Sequence, residues 1–147
     1  MPTLFGQEVS DHTYELNKHM LNPPKEPKTA ARAAVTMWRT EREYMAAVFQ
    51  AAQWEALREP AFNLLLHIPN ENSHKTPGVK GGVPDLFLAA PRGGKAGLFI
   101  ELKIASGKPS QKQLDVIYEL RTAGYECHII WDSVDEVITC ITAYLNS

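Results

Sequence analysis

Cysteine is scarce: two in 147 residues, Cys127 and Cys140. That excludes a disulfide framework, and the pair lacks the spacing of a zinc site, so both read as core residues of a reducing compartment. No apolar run approaches the roughly 18 residues of a membrane span, and residues 1–10 lack the basic-then-apolar order of a signal peptide. The expectation is no membrane partner and a cytoplasmic address. Internal repeats and low-complexity tracts are missing too. So is any large excess of one charge: 15 basic against 17 acidic side chains leave a formal −2, which taken whole argues against a polyanionic partner.

What is present is an ordinary globular profile, 44% hydrophobic and 22% charged, long enough for one domain with a core. The charge is unevenly spread. Residues 1–74 carry 7 basic and 9 acidic groups, residues 75–112 carry 7 and 2, and residues 113–147 carry 1 and 6. A basic centre is therefore hidden in a near-neutral chain, made of Lys75, Lys80, Arg92, Lys95, Lys103, Lys108 and Lys112. Such a segment is either a set of solvated loops or a face for phosphates. On the second reading the acidic last third faces away from the polyanion.

Residues 1–36 read as an N-terminal segment: a short helix over Ser10–Leu21, then a linker at Asn22-Pro23-Pro24-Lys25-Glu26-Pro27, which cannot continue a helix. Residues 37–147 read as the domain. A helix is expected over about Arg39–Arg58, where Met45, Val48, Phe49, Ala52 and Ala56 recur at helical spacing and Pro60 ends the run. Phe62–Ile68 reads as a buried strand. Val83–Ala90 and Gly97–Ile104 read as an antiparallel hairpin around the turn residues Pro91-Arg92-Gly93-Gly94. Ser110 with Gln113 makes a capping box for the next helix, Glu126–Trp131 is a further strand, and Ser133 with Glu136 caps a last helix. The fold class is α/β, a mixed β-sheet flanked by helices.

The chemistry-bearing stretch is Gly82–Lys103. Side chains alternate along a strand, so Glu101 and Lys103 share one face of Phe99-Ile100-Glu101-Leu102-Lys103-Ile104 while Ile100 and Leu102 take the other. Burying that pair costs several kcal/mol unless it is compensated. Asp85, between Pro84 and Leu86, begins the partner strand and falls opposite the Glu101–Lys103 end of the hairpin. Three ionisable groups can converge there. The bland alternative is a structural ion pair of Lys103 with Glu101 or Asp85, which leaves one charge unexplained. Two close carboxylates ask for a cation, and oxygen donors suit Mg²⁺ or Mn²⁺ better than zinc. A neighbouring ammonium can offset phosphate charge and orient an attacking water, so the set suits hydrolysis at phosphorus.

These residues resemble the VRR-NUC domains, a branch of the PD-(D/E)xK nuclease superfamily with its restriction-endonuclease-like core. Pro84-Asp85 and Glu101-Leu102-Lys103 match the superfamily signature. Gly78-Val79-Lys80-Gly81-Gly82-Val83-Pro84-Asp85-Leu86 resembles the glycine-bearing loop and metal-binding strand of phage members, and Lys108-Pro109-Ser110 with Gln113 their polar helix start. The resemblance spans about residues 39–146. It implies a divalent-metal-dependent DNA endonuclease with Asp85, Glu101 and the Leu102 backbone carbonyl as ligands of Mg²⁺ or Mn²⁺, and Lys103 beside the attacking water. Gln113 matches the family's glutamine near the site. A family glutamate on the first helix falls to Glu41 or Glu43. Glu41 extends the inward stripe, four residues before Met45 and seven before Val48, whereas Glu43 lies with Ala47, Gln50 and Trp54, so Glu41 is the choice for the further catalytic and metal-binding carboxylate that the resemblance implies.

The expected DNA contacts are Lys75, Lys80, Arg92, Lys95, Lys108 and Lys112. Stand-alone members resemble viral homodimers that cut branched DNA such as four-way junctions, and a viral member would work in the host cytoplasm. A non-catalytic DNA-binding module of the same fold and a sequence-specific restriction-type enzyme are the alternatives. Two departures from phage relatives stand out: Tyr44-Met45 where many carry Glu-Gln, and a short loop from Asn70 to Gly82. His67 reads as a strand residue, and Trp38, Trp54 and Trp131 as core residues rather than base-stacking ones.

Overall fold

The structure is a computed structural model, and it describes residues 3–4, 7–8, 38–70 and 75–147. The expected Ser10–Leu21 helix, the proline-rich linker and His74 lie outside the described residues. The chain divides into two compact units, Met1–Val35 and Thr36–Ser147. In the first, β1 (Thr3–Leu4) pairs antiparallel with β2 (Gln7–Glu8).

The second unit runs α1 (Glu41–Glu55), a 3₁₀ turn (Pro60–Leu64), β3 (Leu65–His67), β4 (Leu86–Leu88), β5 (Leu98–Lys103), α2 (Gln111–Thr122), β6 (Glu126–Trp131) and α3 (Val134–Leu145). This is the expected order of helices and strands. The four strands lie in the order β3-β4-β5-β6, antiparallel except for the parallel pair β5–β6. Among the described residues, no helix is long and apolar enough to cross a membrane.

The boundaries differ from expectation for local reasons. Thr40 caps α1 by accepting from the Glu43 N–H, so the helix starts at Glu41 rather than Arg39. Pro60 opens a 3₁₀ turn whose cap is Glu59, and that turn takes Phe62–Leu64 out of the expected strand. Pro84 has no N–H to give a ladder, and β4 is confined to Leu86–Leu88. The capping box at Ser110–Gln113 and the Ser133 cap form as expected.

One sheet face presents Leu86, Leu88, Leu98, Ile100, Leu102 and Ile130 to α1 and α3, which contribute Tyr44, Val48, Ala52, Val137, Ile141, Tyr144 and Leu145. Met45, Phe49 and Ala56 pack at the margin of this core, and Tyr44, absent from the expected stripe, is fully buried in it. Trp38 stacks on Tyr44. Trp54 corrects the core expectation: it is 67% exposed, because it shares the solvent side of α1 with Gln50 and Glu43. The opposite sheet face carries Phe87 and Phe99, stacked at 4.5 Å, and reaches α2 through Arg121, whose Nη2 donates to Cys127 O at 2.6 Å. Cys127 and Cys140 are unbridged, and burial pushes both thiols up to about 12.

Backbone strain collects at one end of the parallel pair. Ala105 (φ 48°) and Asp132 (φ 54°) are the non-glycine residues in the left-handed region among the described residues, each at a cost of about 1–2 kcal/mol. Gly82 (φ +87°) seats the loop ahead of β4 against the first turn of α2, where an added Cβ would stand 2.9 Å from Lys112 Cγ and 3.0 Å from Lys112 O. Gly94 (φ +76°) faces open space. Gly82→Ala is expected to lower the unfolding free energy by about 1–3 kcal/mol, and Gly94→Ala by less, in urea denaturation; equal losses would show that the Lys112 contact is unimportant.

Candidate active site

The hairpin register sets Leu86 opposite Ile100, so Asp85, one residue ahead of β4, falls beside Glu101 and Leu102. The Leu102 N–H donates to Asp85 Oδ2 at 2.9 Å. Alternation puts Glu101 and Lys103 on the sheet face away from the main core, and both are nonetheless buried, 1% and 7% exposed. Lys103 Nζ stands 3.0 Å from Glu101 Oε1 and 3.7 Å from Glu41 Oε1. Gln113 Nε2, from the first turn of α2, donates to the same Glu101 Oε1 at 2.6 Å. Asp85, Glu101, Lys103, Gln113 and Glu41 are thus brought together from four elements.

Glu43 does something else: its Oε2 accepts from the Arg39 N–H at 2.9 Å at the start of α1. His67 lies on β3 as expected and is exposed, with Nδ1 3.1 Å from Asp85 O. Glu41 is half-exposed and approaches the lysine, and among the described residues no three His, Cys, Asp or Glu side chains form a ready metal cage. Asp85 and Glu101 are the close carboxylates, while Glu41, from α1, meets the cluster through Lys103.

The electrostatics follow from the burial. Desolvation, then the Asp85 charge, push Glu101 up to about 7 against the pull of Lys103. Desolvation also raises Asp85 above its ordinary value, opposed by the Leu102 N–H. Burial works to lower Lys103, but its hydrogen bond to Glu101 and the charges of Glu101, Glu41 and Asp85 outweigh that and hold it above the usual lysine value. One ammonium faces more carboxylate than it can neutralise. Glu101 Oε2 is buried without a hydrogen-bond partner among the described residues, a costly state for a carboxylate oxygen. An oxygen-rich, under-neutralised pocket with an orphan acceptor fits a hard divalent cation.

The basic residues separate into two groups. Lys80 precedes the Gly82 contact with α2, while Lys108 and Lys112 flank the start of that helix, the end that carries Gln113; all three are exposed. Lys75 is exposed farther back in the same loop. Arg92 and Lys95 face each other across the hairpin turn, with Lys95 N to Arg92 O at 2.8 Å, at the opposite end of β5. Six residues of extended chain put Lys95 roughly 20 Å from Glu101. The basic centre of the sequence is therefore not one patch. Nor does the acidic last third all face away: Asp132 Oδ1 accepts from the Ala105 N–H, two residues past Lys103.

Sequence reasoning missed Tyr44, whose hydroxyl donates to Ser133 O at 2.9 Å and accepts from Ser133 N at 3.0 Å. Burial pushes this phenol up to about 12. A large polar-tipped residue one turn after Glu41 was the available signal.

Comparison with known proteins places the chain. The family model described as the VRR-NUC domain matches residues 26–130. A solved structure of a VRR_NUC domain protein superposes with a TM-score of 0.62 at 30% sequence identity, covering 74% of this chain and 90% of that one. No curated protein matches.

Glu101 holds a proton more readily folded (about 7) than unfolded (4.5), so in metal-free protein stability falls as pH rises through that window. The expected loss between pH 5 and pH 8 is on the order of 1–3 kcal/mol by chemical denaturation in EDTA, and Glu101→Gln removes it. An unchanged slope in Glu101→Gln would show that the carboxylate is not under this stress.

Proposed function

The chain belongs to the VRR-NUC domain family, and from that premise we propose that it is a divalent-metal-dependent DNA endonuclease, selective for branched DNA such as four-way junctions and acting as a homodimer. The family is nuclease-type and acts on DNA. The observation that carries the catalytic reading is the buried Asp85–Glu101–Lys103 cluster with its orphan Glu101 Oε2. A fold kept only for binding has no use for so costly a grouping.

Asp85, Glu101 and the Leu102 carbonyl are the groups that would hold Mg²⁺ or Mn²⁺. A cation held there would offset charge on the phosphate and make a bound water more acidic. Lys103, protonated and held by Glu101, donates hydrogen bonds to the attacking water or to a phosphate oxygen. Gln113 donates to Glu101 Oε1, and Oε2, without a hydrogen-bond partner among the described residues, would be open to a cation. Glu41 holds Lys103 from the other side and is the second carboxylate within its reach. The water gives up a proton to solvent as its oxygen bonds to phosphorus, the P–O bond opposite breaks, and the departing oxygen takes up a proton from solvent, so that one water is added across the bond. Two such sites related by a two-fold axis suit paired cuts on a symmetric junction.

Labelled linear, flap and four-way DNA incubated with Mg²⁺, Mn²⁺ or EDTA tests this. Metal-dependent cutting of the four-way substrate is expected, with Lys103→Ala slower by about 10²–10³-fold. Cutting in EDTA, or cutting unchanged in Lys103→Ala, contradicts the mechanism. Binding without any cleavage indicates the non-catalytic module, and dependence on one short sequence in linear duplex the restriction-type enzyme.

The placement of the cations gives a separate expectation for binding. Lys80→Ala and Lys108→Ala each reduce the slope of log K against log salt by about 0.9, whereas Arg92→Ala and Lys95→Ala leave it unchanged. Equal effects at both ends of β5 would mean that DNA covers the hairpin turn as well.

A further inference from the structure

Three groups around Glu101 come from separate elements: Lys103 from β5, Gln113 from α2 and Glu41 from α1. One short segment that contributes no side chain to the cluster, Trp131–Asp132–Ser133 at the junction of β6 and α3, is bonded to Lys103 itself, to the loop that leads to Gln113 and to Tyr44 on the helix of Glu41. The Asp132 N–H donates to Lys103 O at 3.0 Å. Asp132 Oδ1 accepts from the Ala105 N–H at 2.9 Å, and Trp131 Nε1 donates to Gly107 O at 2.8 Å, so the loop from Lys103 to the α2 cap at Ser110 is pinned at two points. Ser133 exchanges two hydrogen bonds with the Tyr44 hydroxyl, three residues after Glu41 on α1.

The backbone marks the same place. Ala105 and Asp132, the left-handed non-glycine residues among those described, are bonded to each other across this junction. Elsewhere the chain makes left-handed turns with glycine, at Gly78, Gly82, Gly93, Gly94 and Gly124. Glycine at position 132 would relieve the strain and lose the carboxylate acceptor. Keeping a strained aspartate is intelligible if its tether is needed, and strain of this kind collects at functional sites.

We infer that Trp131–Asp132–Ser133 is a positioning segment that sets the relative placement of Lys103, Gln113 and Glu41 without touching DNA. The inference rests on the nuclease reading for its kinetic consequence, but its structural consequence stands apart. Asp132→Gly removes the acceptor at a backbone position that glycine tolerates better; Asp132→Asn keeps both an acceptor oxygen and tolerance of positive φ.

The test combines NMR with kinetics on the full chain. In Asp132→Gly the Ala105 amide is expected to exchange about tenfold faster, the Gln113 side-chain amide to shift, and kcat on four-way DNA to fall about tenfold at unchanged KM. Asp132→Asn should restore all three. A wild-type Gln113 amide signal in Asp132→Gly, or a defect in Asp132→Asn as deep as that in Asp132→Gly, overturns the inference. If wild-type protein cleaves no DNA, the nuclease reading fails while the Ala105 and Gln113 signals still decide the positioning role. Should Asp132→Gly not fold, Tyr44→Phe keeps the ring and removes the Ser133 link: lowered kcat at unchanged KM supports the inference, and unchanged kcat overturns it.

Discussion

The burial of Glu101 and Asp85 beside a single ammonium is the constraint on which the rest of the molecule turns. Water would stabilise these charges cheaply, and β5 withdraws them from it. Every neighbouring polar contact is a partial replacement for that lost hydration: the Leu102 N–H on Asp85, and Gln113 and Lys103 on Glu101 Oε1. One oxygen, Glu101 Oε2, is left over. A site built for stability alone would have filled that deficit with a protein group; on the proposed mechanism it is left for a cation.

The surrounding fold supplies what such a site demands, which is stiffness. Leu98, Ile100 and Leu102 anchor β5 from the opposite face, so alternation alone delivers Glu101 and Lys103 to the other side. The parallel partner β6 ends at the same edge as β5, and its continuation ties β5, the loop to α2 and α1 into one frame. Gly82 lets the loop ahead of Asp85 rest on α2. Positive charge gathers where α2 begins, beside Gln113, while the hairpin cations sit at the far end of the strand.

Much of this was legible in the amino-acid order because the signals were local. Ser110–Gln113 announces a helix start, Pro91-Arg92-Gly93-Gly94 a hairpin, and two charges at alternate positions of an apolar strand a shared face. Glu41 could be preferred over Glu43 by helical phase, and the ion pair with Lys103 agrees with that choice of side. What could not be read depended on tertiary placement. Trp54 is apolar and helical, yet it phases with Gln50 onto the solvent side. Charge summed along 75–112 could not show that Arg92 and Lys95 are carried to the opposite end of β5. Asp132 and Tyr44 have no motif, since their partners are backbone atoms of residues 105 and 133, set by pairing between distant strands and helices.

The central claim is that the deficit at Asp85 and Glu101 is filled by a divalent cation. Mn²⁺ titration followed by paramagnetic broadening of the amide spectrum tests it without any substrate. Broadening centred on the Asp85, Glu101 and Leu102 amides, abolished in Glu101→Gln, is the expected result. Broadening centred elsewhere, or surviving intact in Glu101→Gln, would contradict it.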